Sequence, residues 1–167
     1  MNVNYIIRLA KKEDITSITN ILNNCIQEGG ANAFLEPQTI ESRIDWFNKL
    51  MQDSYDIFVI EINNEVIAYF NFSPFRSGRG GYKNVAEFTY YIAKEYRSKG
   101  LGNQIFSFSI EHAKIKGYKN LIAILLGENQ KSINILKKYG FDLWGSLPEV
   151  VEFKESNSTV LIMGLKI

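Results

Sequence analysis

Arg97-Ser98-Lys99-Gly100-Leu101-Gly102-Asn103 follows a run of strand-forming residues, Phe88-Thr89-Tyr90-Tyr91-Ile92, and opens an amphipathic stretch that reaches Lys116. A strand, a glycine-punctuated turn and a helix start, in that order, build an anion site. The first-turn amides of a helix have no intrahelical acceptor, and the helix dipole adds partial positive charge there. Gly100 and Gly102 carry no Cβ to hold a phosphate away from those amides, and Arg97 and Lys99 add formal charge at the same mouth. The segment is not the lysine-containing phosphate loop G-x-x-x-x-G-K-[ST]. Nor is it the dinucleotide fingerprint G-x-G-x-x-G, because Gly102 is followed by Asn103, Gln104 and Ile105. What remains is R-x-x-G-x-G behind a strand, against the plainer alternative of a turn before an ordinary helix.

A second segment, Asn129-Gln130-Lys131-Ser132-Ile133-Asn134-Ile135-Leu136-Lys137-Lys138-Tyr139-Gly140-Phe141, places Asn129 where a helix cap belongs and Gly140 where a helix ends. Together the two segments resemble the coenzyme A loop and the N-x-x-S-x-x-L-[YH]-x-x-x-G-F hallmark of the GNAT N-acetyltransferase superfamily. The resemblance implies that the loop from Arg97 through Ser98, Lys99, Gly100, Leu101 and Gly102 to Asn103 holds the pyrophosphate of acetyl-CoA. It implies that backbone groups of Tyr90, Tyr91 and Ile92 hold the pantetheine and thioester. Asn129, with Ser132 in the same motif, would contact coenzyme A; the bland alternative for Asn129 is a plain helix cap.

The chain has 167 residues, 46% hydrophobic and 13% aromatic, which suits one globular domain over 1–167. A formal net charge of +1 without a basic run argues against bulk binding to nucleic acid or an anionic membrane. No apolar run is long enough to span a bilayer. The single cysteine, Cys25, falls on the apolar stripe of a helix and reads as a buried thiol; with no signal peptide recognised, a cytoplasmic location is expected.

Periodicity predicts a strand at Tyr5 to Leu9 and a helix from Asp14 to Gln27 stopped by Gly29-Gly30. A second helix spans Glu41 to Met51 with Thr39 as its cap. Ile57 to Ile62 and Glu65 to Phe72 form a hairpin turned at Asn63-Asn64. Ser73 to Lys83 is a loop rich in Gly and Arg. A strand follows from Asn84 to Ile92, a helix from Leu101 to Lys116, a strand from Asn120 to Leu126 and a helix from Asn129 to Tyr139. Phe141 to Leu147 and Thr159 to Leu165 close the sheet. The order gives an α+β three-layer sandwich with a mixed, mostly antiparallel sheet flanked by helices. It agrees with the GNAT fold, whose central strands are expected to splay and admit the thioester.

Acetyl transfer to an amine needs a base, because a primary ammonium has a pKa near 10. Glu87 is the candidate catalytic residue: it is ionisable in an otherwise apolar strand, and partial burial would raise its pKa toward neutrality. A solvated Glu on the strand is the alternative. More narrowly, Ser73-Pro74-Phe75-Arg76, Tyr82 to Ile92, Ile122-Ala123-Ile124 and Gly145-Ser146-Leu147-Pro148 resemble the phosphinothricin N-acetyltransferase branch. Glu87 then matches that branch's proposed catalytic Glu in W-T-V-E-x-[ST]-V-Y-V.

The chain departs from the family where Leu136 stands in place of the His or Tyr that assists as an acid, so no dedicated acid is expected there. Ser158-Thr159-Val160 replaces a W-x-D-V element. Arg76, Tyr82 and Lys83 are candidate donors to an acceptor carboxylate, and Phe34 and Trp46 candidate walls of the acceptor site. His112, the only histidine, has no partners for a metal site, and no metal is expected. The reading is an acetyl-CoA-dependent N-acetyltransferase acting on a small-molecule amine, amino-acid-like or related, and a homodimer as its branch commonly is. The alternatives are a non-catalytic acetyl-CoA-sensing module and a protein N-terminal acetyltransferase.

Overall fold

The computed structural model describes residues 5–167; the first four residues of the expected 1–167 unit lie outside the described ones. In chain order the elements are β1 (Ile6–Leu9), α1 (Ile15–Glu28), α2 (Ile40–Gln52), β2 (Ile57–Ile62), β3 (Glu65–Pro74) and β4 (Val85–Ile92). Then come α3 (Leu101–Lys116), β5 (Asn120–Leu126), α4 (Gln130–Lys138), β6 (Asp142–Glu152) and β7 (Asn157–Lys166). The strands form one seven-stranded sheet in the order β1-β2-β3-β4-β5-β7-β6, antiparallel throughout except for β4 against β5.

Local chemistry sets these boundaries. Thr39 Oγ1 accepts from Ser42 N (3.2 Å) and caps α2. Asn63 and Asn64 both take positive φ, 49° and 66°, the left-handed pair that a two-residue hairpin turn requires. Ile15, Ile18, Ile21, Leu22 and Cys25 recur at helical spacing and bury α1 against the sheet.

The two faces of the sheet carry separate cores. On one, Phe58, Phe70, Phe72 and Phe88 meet Ile105 and Phe106 of α3 and Leu136 of α4. On the other, Val59 and Tyr69 meet Ile18, Leu22 and Phe47 of α1 and α2. Helices therefore cover both faces, as the three-layer expectation held. Because successive side chains of a strand point to opposite faces, β4 divides its residues between the layers. Phe88 and Tyr90 join the first core, while Tyr91 packs with the second.

The parallel pairing of β4 with β5 covers only Val85↔Asn120, Ala86↔Leu121 and Glu87↔Ile122. Beyond it β4 continues along β3 to Ile92, and β5 continues along β7 to Leu126. The two strands part after Glu87, which is the splay expected from the resemblance.

The closing hairpin is longer than expected. β6 and β7 run on past Leu147 and begin before Thr159, through Pro148 and a register shift between Leu147 and Val151. Pro148 reads as a strand end in sequence. β6 is the outer strand, however, where a residue without an N–H is tolerated, and the bulge with Glu149 at φ 51° absorbs the misfit.

Candidate active site

The loop before α3 has the free amides the sequence suggested. Among the described residues, the N–H groups of Ser98, Lys99, Gly100, Leu101 and Gly102 donate to no backbone carbonyl, whereas Asn103 N donates to Gly100 O (3.0 Å). Ser98 and Gly100 take φ of 60° and 86°. Such left-handed residues within a turn converge successive amides into a concavity suited to an anion. Gly100 is required by its conformation. Gly102 carries a constraint the sequence did not show: a Cβ there would lie 2.6 Å from Ile135 Cδ1. Its missing side chain lets the start of α3 pack against α4.

Arg97 does not stand free at the mouth. Its Nε donates to Ile92 O (2.8 Å), its Nη1 pairs with Glu28 and its Nη2 reaches Cys25 Sγ (3.1 Å). The residue braces the end of β4 against the end of α1, and the pairing holds the Glu28 carboxyl below its usual range. Lys99 Nζ lies 5.4 Å from the centre of the Tyr96 ring. Asn103 is likewise engaged: its Oδ1 accepts from Lys138 Nζ (2.7 Å), and its carbonyl accepts from the Tyr139 hydroxyl (3.0 Å).

Asn129 is a helix cap, its Oδ1 accepting from Ser132 N (3.2 Å). The Ser132 and Tyr90 hydroxyls share a hydrogen bond of 3.0 Å, which links α4 to β4. Ala93 N donates to Ile67 O on β3, so by strand alternation the backbone groups of Tyr90 and Ile92 face the gap beside β5. Tyr91 differs from expectation, since its backbone faces β3 and its side chain lines a cavity on the other face of the sheet.

That cavity has a volume of about 350 Å³. β3 contributes Asn71 and Ser73 to it, β4 contributes Glu87 and Thr89, and α2 contributes Arg43 and Trp46. Phe34 closes it from the α1–α2 connection, and Ile124, Leu126 and Val160 line it from beyond the splay. Glu87 enters at the fork itself and has no ion pair or side-chain hydrogen bond among the described residues. Burial alone pushes its carboxyl pKa up.

Of the other acceptor-side candidates, Phe34 and Trp46 line this cavity, whereas Arg76, Tyr82 and Lys83 do not. Tyr82 lines a separate, open hollow with Phe75 and Trp144, and Arg76 and Lys83 are exposed on the β3–β4 connection. Leu136 is fully buried in the core under α4 and has no access to the cleft. Cys25 is buried, with its thiol pKa raised by burial. His112 packs on Phe58 and bonds Asp56 Oδ2 (2.7 Å) through Nε2.

Sequence reasoning missed Arg43 and Asn71. Arg43 had a legible signal: it occupies the buried stripe of α2 shared by Phe47 and Leu50, where an apolar residue is expected. Asn71 lies between Phe70 and Phe72 in β3, and it is buried at 4% exposure.

An amide-lined loop beside a gap between diverging strands, with a half-buried carboxylate at the fork, agrees with an acyl-CoA-dependent transferase. The chain belongs to the acetyltransferase (GNAT) family, whose model matches residues 4–141. It is 31% identical over 95% of its length, and 96% of the relative's, to YwnH of Bacillus subtilis (strain 168), which carries a provisional phosphinothricin acetyltransferase name. It is 30% identical to the L-amino acid N-acyltransferase MnaT of Escherichia coli (strain K12), covering 86% of this chain and 83% of that one. Among solved structures it is similar to yncA from Salmonella typhimurium, solved with its cofactor acetyl-CoA, at a TM-score of 0.89 and 26% identity over 97% and 93% of the two chains. The chain is an N-acetyltransferase of the phosphinothricin acetyltransferase-like branch.

Proposed function

We propose that this N-acetyltransferase moves the acetyl group of acetyl-CoA to the amine of an amino-acid-like small molecule, with Glu87 as general base. The observation that carries the reading is the place of Glu87. It is the last β4 residue paired with β5, it lines the acceptor cavity, and its pKa is raised by burial. Glu87, directly or through a water, takes the proton of the acceptor ammonium; the freed nitrogen attacks the thioester carbonyl and the sulfur departs. A base with a raised pKa holds that proton more firmly at neutral pH than an ordinary carboxylate does.

Backbone amides of β4 facing the gap, at Tyr90 and Ile92, are aimed where the carbonyl oxygen gains charge. The free amides from Ser98 to Gly102 hold the pyrophosphate, and Asn129 and Ser132 border the cofactor from α4. No acid from Leu136 is needed, because a thiol pKa near 8.5 lets the sulfur leave as thiolate. The relatives' named acceptors, including L-amino acids and L-methionine sulfone, motivate the substrate class. A cavity of about 350 Å³ suits such an acceptor better than an open peptide groove.

We further read the enzyme as a cytoplasmic homodimer of one 1–167 unit. A buried thiol at Cys25 fits a reducing compartment. No helix among the described residues is long and apolar enough to cross a membrane. Trp144, Leu143, Leu147 and Val150 of β6 are exposed apolar side chains, and Trp144 borders the second hollow with Phe75, Tyr82 and Ile162.

The test is acetyl-CoA turnover followed by thiol release, across amino acids, their sulfone and phosphinic analogues, polyamines and short peptides. Amine-dependent release with the amino acids or their analogues supports the reading. Release only with peptides moves the function to a protein acetyltransferase.

A further inference from the structure

Arg43 is 7% exposed, and its guanidinium makes no hydrogen bond or ion pair among the described residues, with Nε buried outright. A buried guanidinium is ordinarily paired, because removing its hydration without a substitute is costly. Trp46 holds the group from one side, its ring centroid 3.6 Å from Cζ, but a ring face supplies no acceptor oxygen. Asn32 Nδ2 is a second buried donor, beside the Tyr91 hydroxyl but short of a full hydrogen bond to it, while its Oδ1 is taken by Phe34 N (3.0 Å).

Both residues line the cavity that holds Glu87. The titratable groups facing Arg43 there are the hydroxyls of Tyr69 and Tyr91, both raised by burial, Tyr91 to about 12, and so uncharged. Glu87 forms no ion pair with Arg43 across the cavity. The cavity therefore presents unpaired donors on the side of Arg43 and a carboxylate base at the fork. An acceptor bearing an anionic group and an amine satisfies both at once.

We propose that Arg43, seated on Trp46 and seconded by Asn32, anchors the carboxylate of the acceptor and so selects amines that carry one. This assigns the role expected of Arg76, Tyr82 and Lys83 to a residue inside the cavity, and it rests on the transferase reading above. Arg43 is a specificity-determining residue; Glu87 remains the base.

The test is isothermal titration of L-methionine sulfone, and of its decarboxylated amine, into the full-length chain saturated with CoA. Wild type is expected to bind the carboxylated compound about 30-fold or more tighter, the scale of a desolvated charge pair. Arg43→Met should bring the two affinities together and leave the KM for acetyl-CoA unchanged. It should also melt at or above the wild-type temperature, because it removes an unpaired buried cation. Arg43→Lys should restore part of the preference.

An undiminished preference in Arg43→Met, or equal binding or no binding of the two compounds by wild type, would overturn the proposal. So would a lower melting temperature with both affinities reduced alike, which is the mark of a structural brace. Thiol release with some other amine alongside those results would leave the transferase reading standing without this anchor. Arg43-dependent binding without any thiol release would keep the anchor and remove the transfer chemistry.

Discussion

Glu87 and Ile122 are the last residues paired between β4 and β5, and the sheet opens immediately beyond them. One backbone position thus ends the strand pairing and supplies the carboxylate. Register with β3 sets Ser73 opposite Glu87 and Asn71 opposite Thr89, so the polar residues of two strands collect on the acceptor face. The aromatic residues Phe72, Phe88 and Phe106 fill the opposite face and fix β4 in place.

The close approach of α3 to α4 at Gly102 gives a stability prediction. Gly102→Ala should cost about 1–3 kcal/mol through overpacking against Ile135 Cδ1. In a chain of this size that lowers the melting temperature by about 2–4 °C per kcal/mol. Ile135→Val removes the clashing carbon, so the double variant should regain most of the loss. An additive double variant in calorimetry would mean that Gly102 is needed for something other than this contact.

The hydrogen bond between Tyr90 and Ser132 should be worth about 1 kcal/mol. Tyr90→Phe and Ser132→Ala are each expected to lower the unfolding free energy measured in urea by that amount. The pair together should cost clearly less than the sum, since either change already removes the bond. Full additivity would show that the two hydroxyls act independently.

If β6 carries the dimer contact, Trp144→Asp should convert a dimer into a monomer in sedimentation at micromolar concentration, with its far-ultraviolet circular dichroism retained. A wild-type chain sedimenting as a monomer at all concentrations would remove the proposed interface. A dimeric Trp144→Asp would move it elsewhere.

The fold was largely legible in the chain because its signals are local. Alternation marks the strands, the Asn63-Asn64 pair marks the hairpin, and Gly100 and Gly117 bracket α3. Glu87 was legible for the same reason, as a charge out of place in an apolar strand. The directions of side chains were not. Arg97 reads as free positive charge, yet it is drawn away by Glu28, a residue 69 positions earlier. Gly102 reads as a concession to phosphate, whereas its constraint comes from Ile135 on another helix. Arg43 shares the apolar stripe of Phe47 and Leu50 in the sequence, which marks it as out of place, but that its guanidinium has no partner follows only from the packing of α2 against Tyr69 of β3.

The most direct test of the account is the pH dependence of kcat/KM for the best amine acceptor, in wild type and in Glu87→Gln. Burial raises the folded-state pKa of Glu87, so the carboxylate required of a base is present above that raised value and lost as pH falls through it. The wild-type profile should therefore show an acid limb above the ordinary glutamate pKa of about 4.3. Glu87→Gln should lose that limb and about 100- to 10,000-fold in rate, the range of a missing general base, with acetyl-CoA binding retained. A Glu87→Gln enzyme that keeps both the wild-type rate and the limb would contradict the assignment of Glu87 as the base.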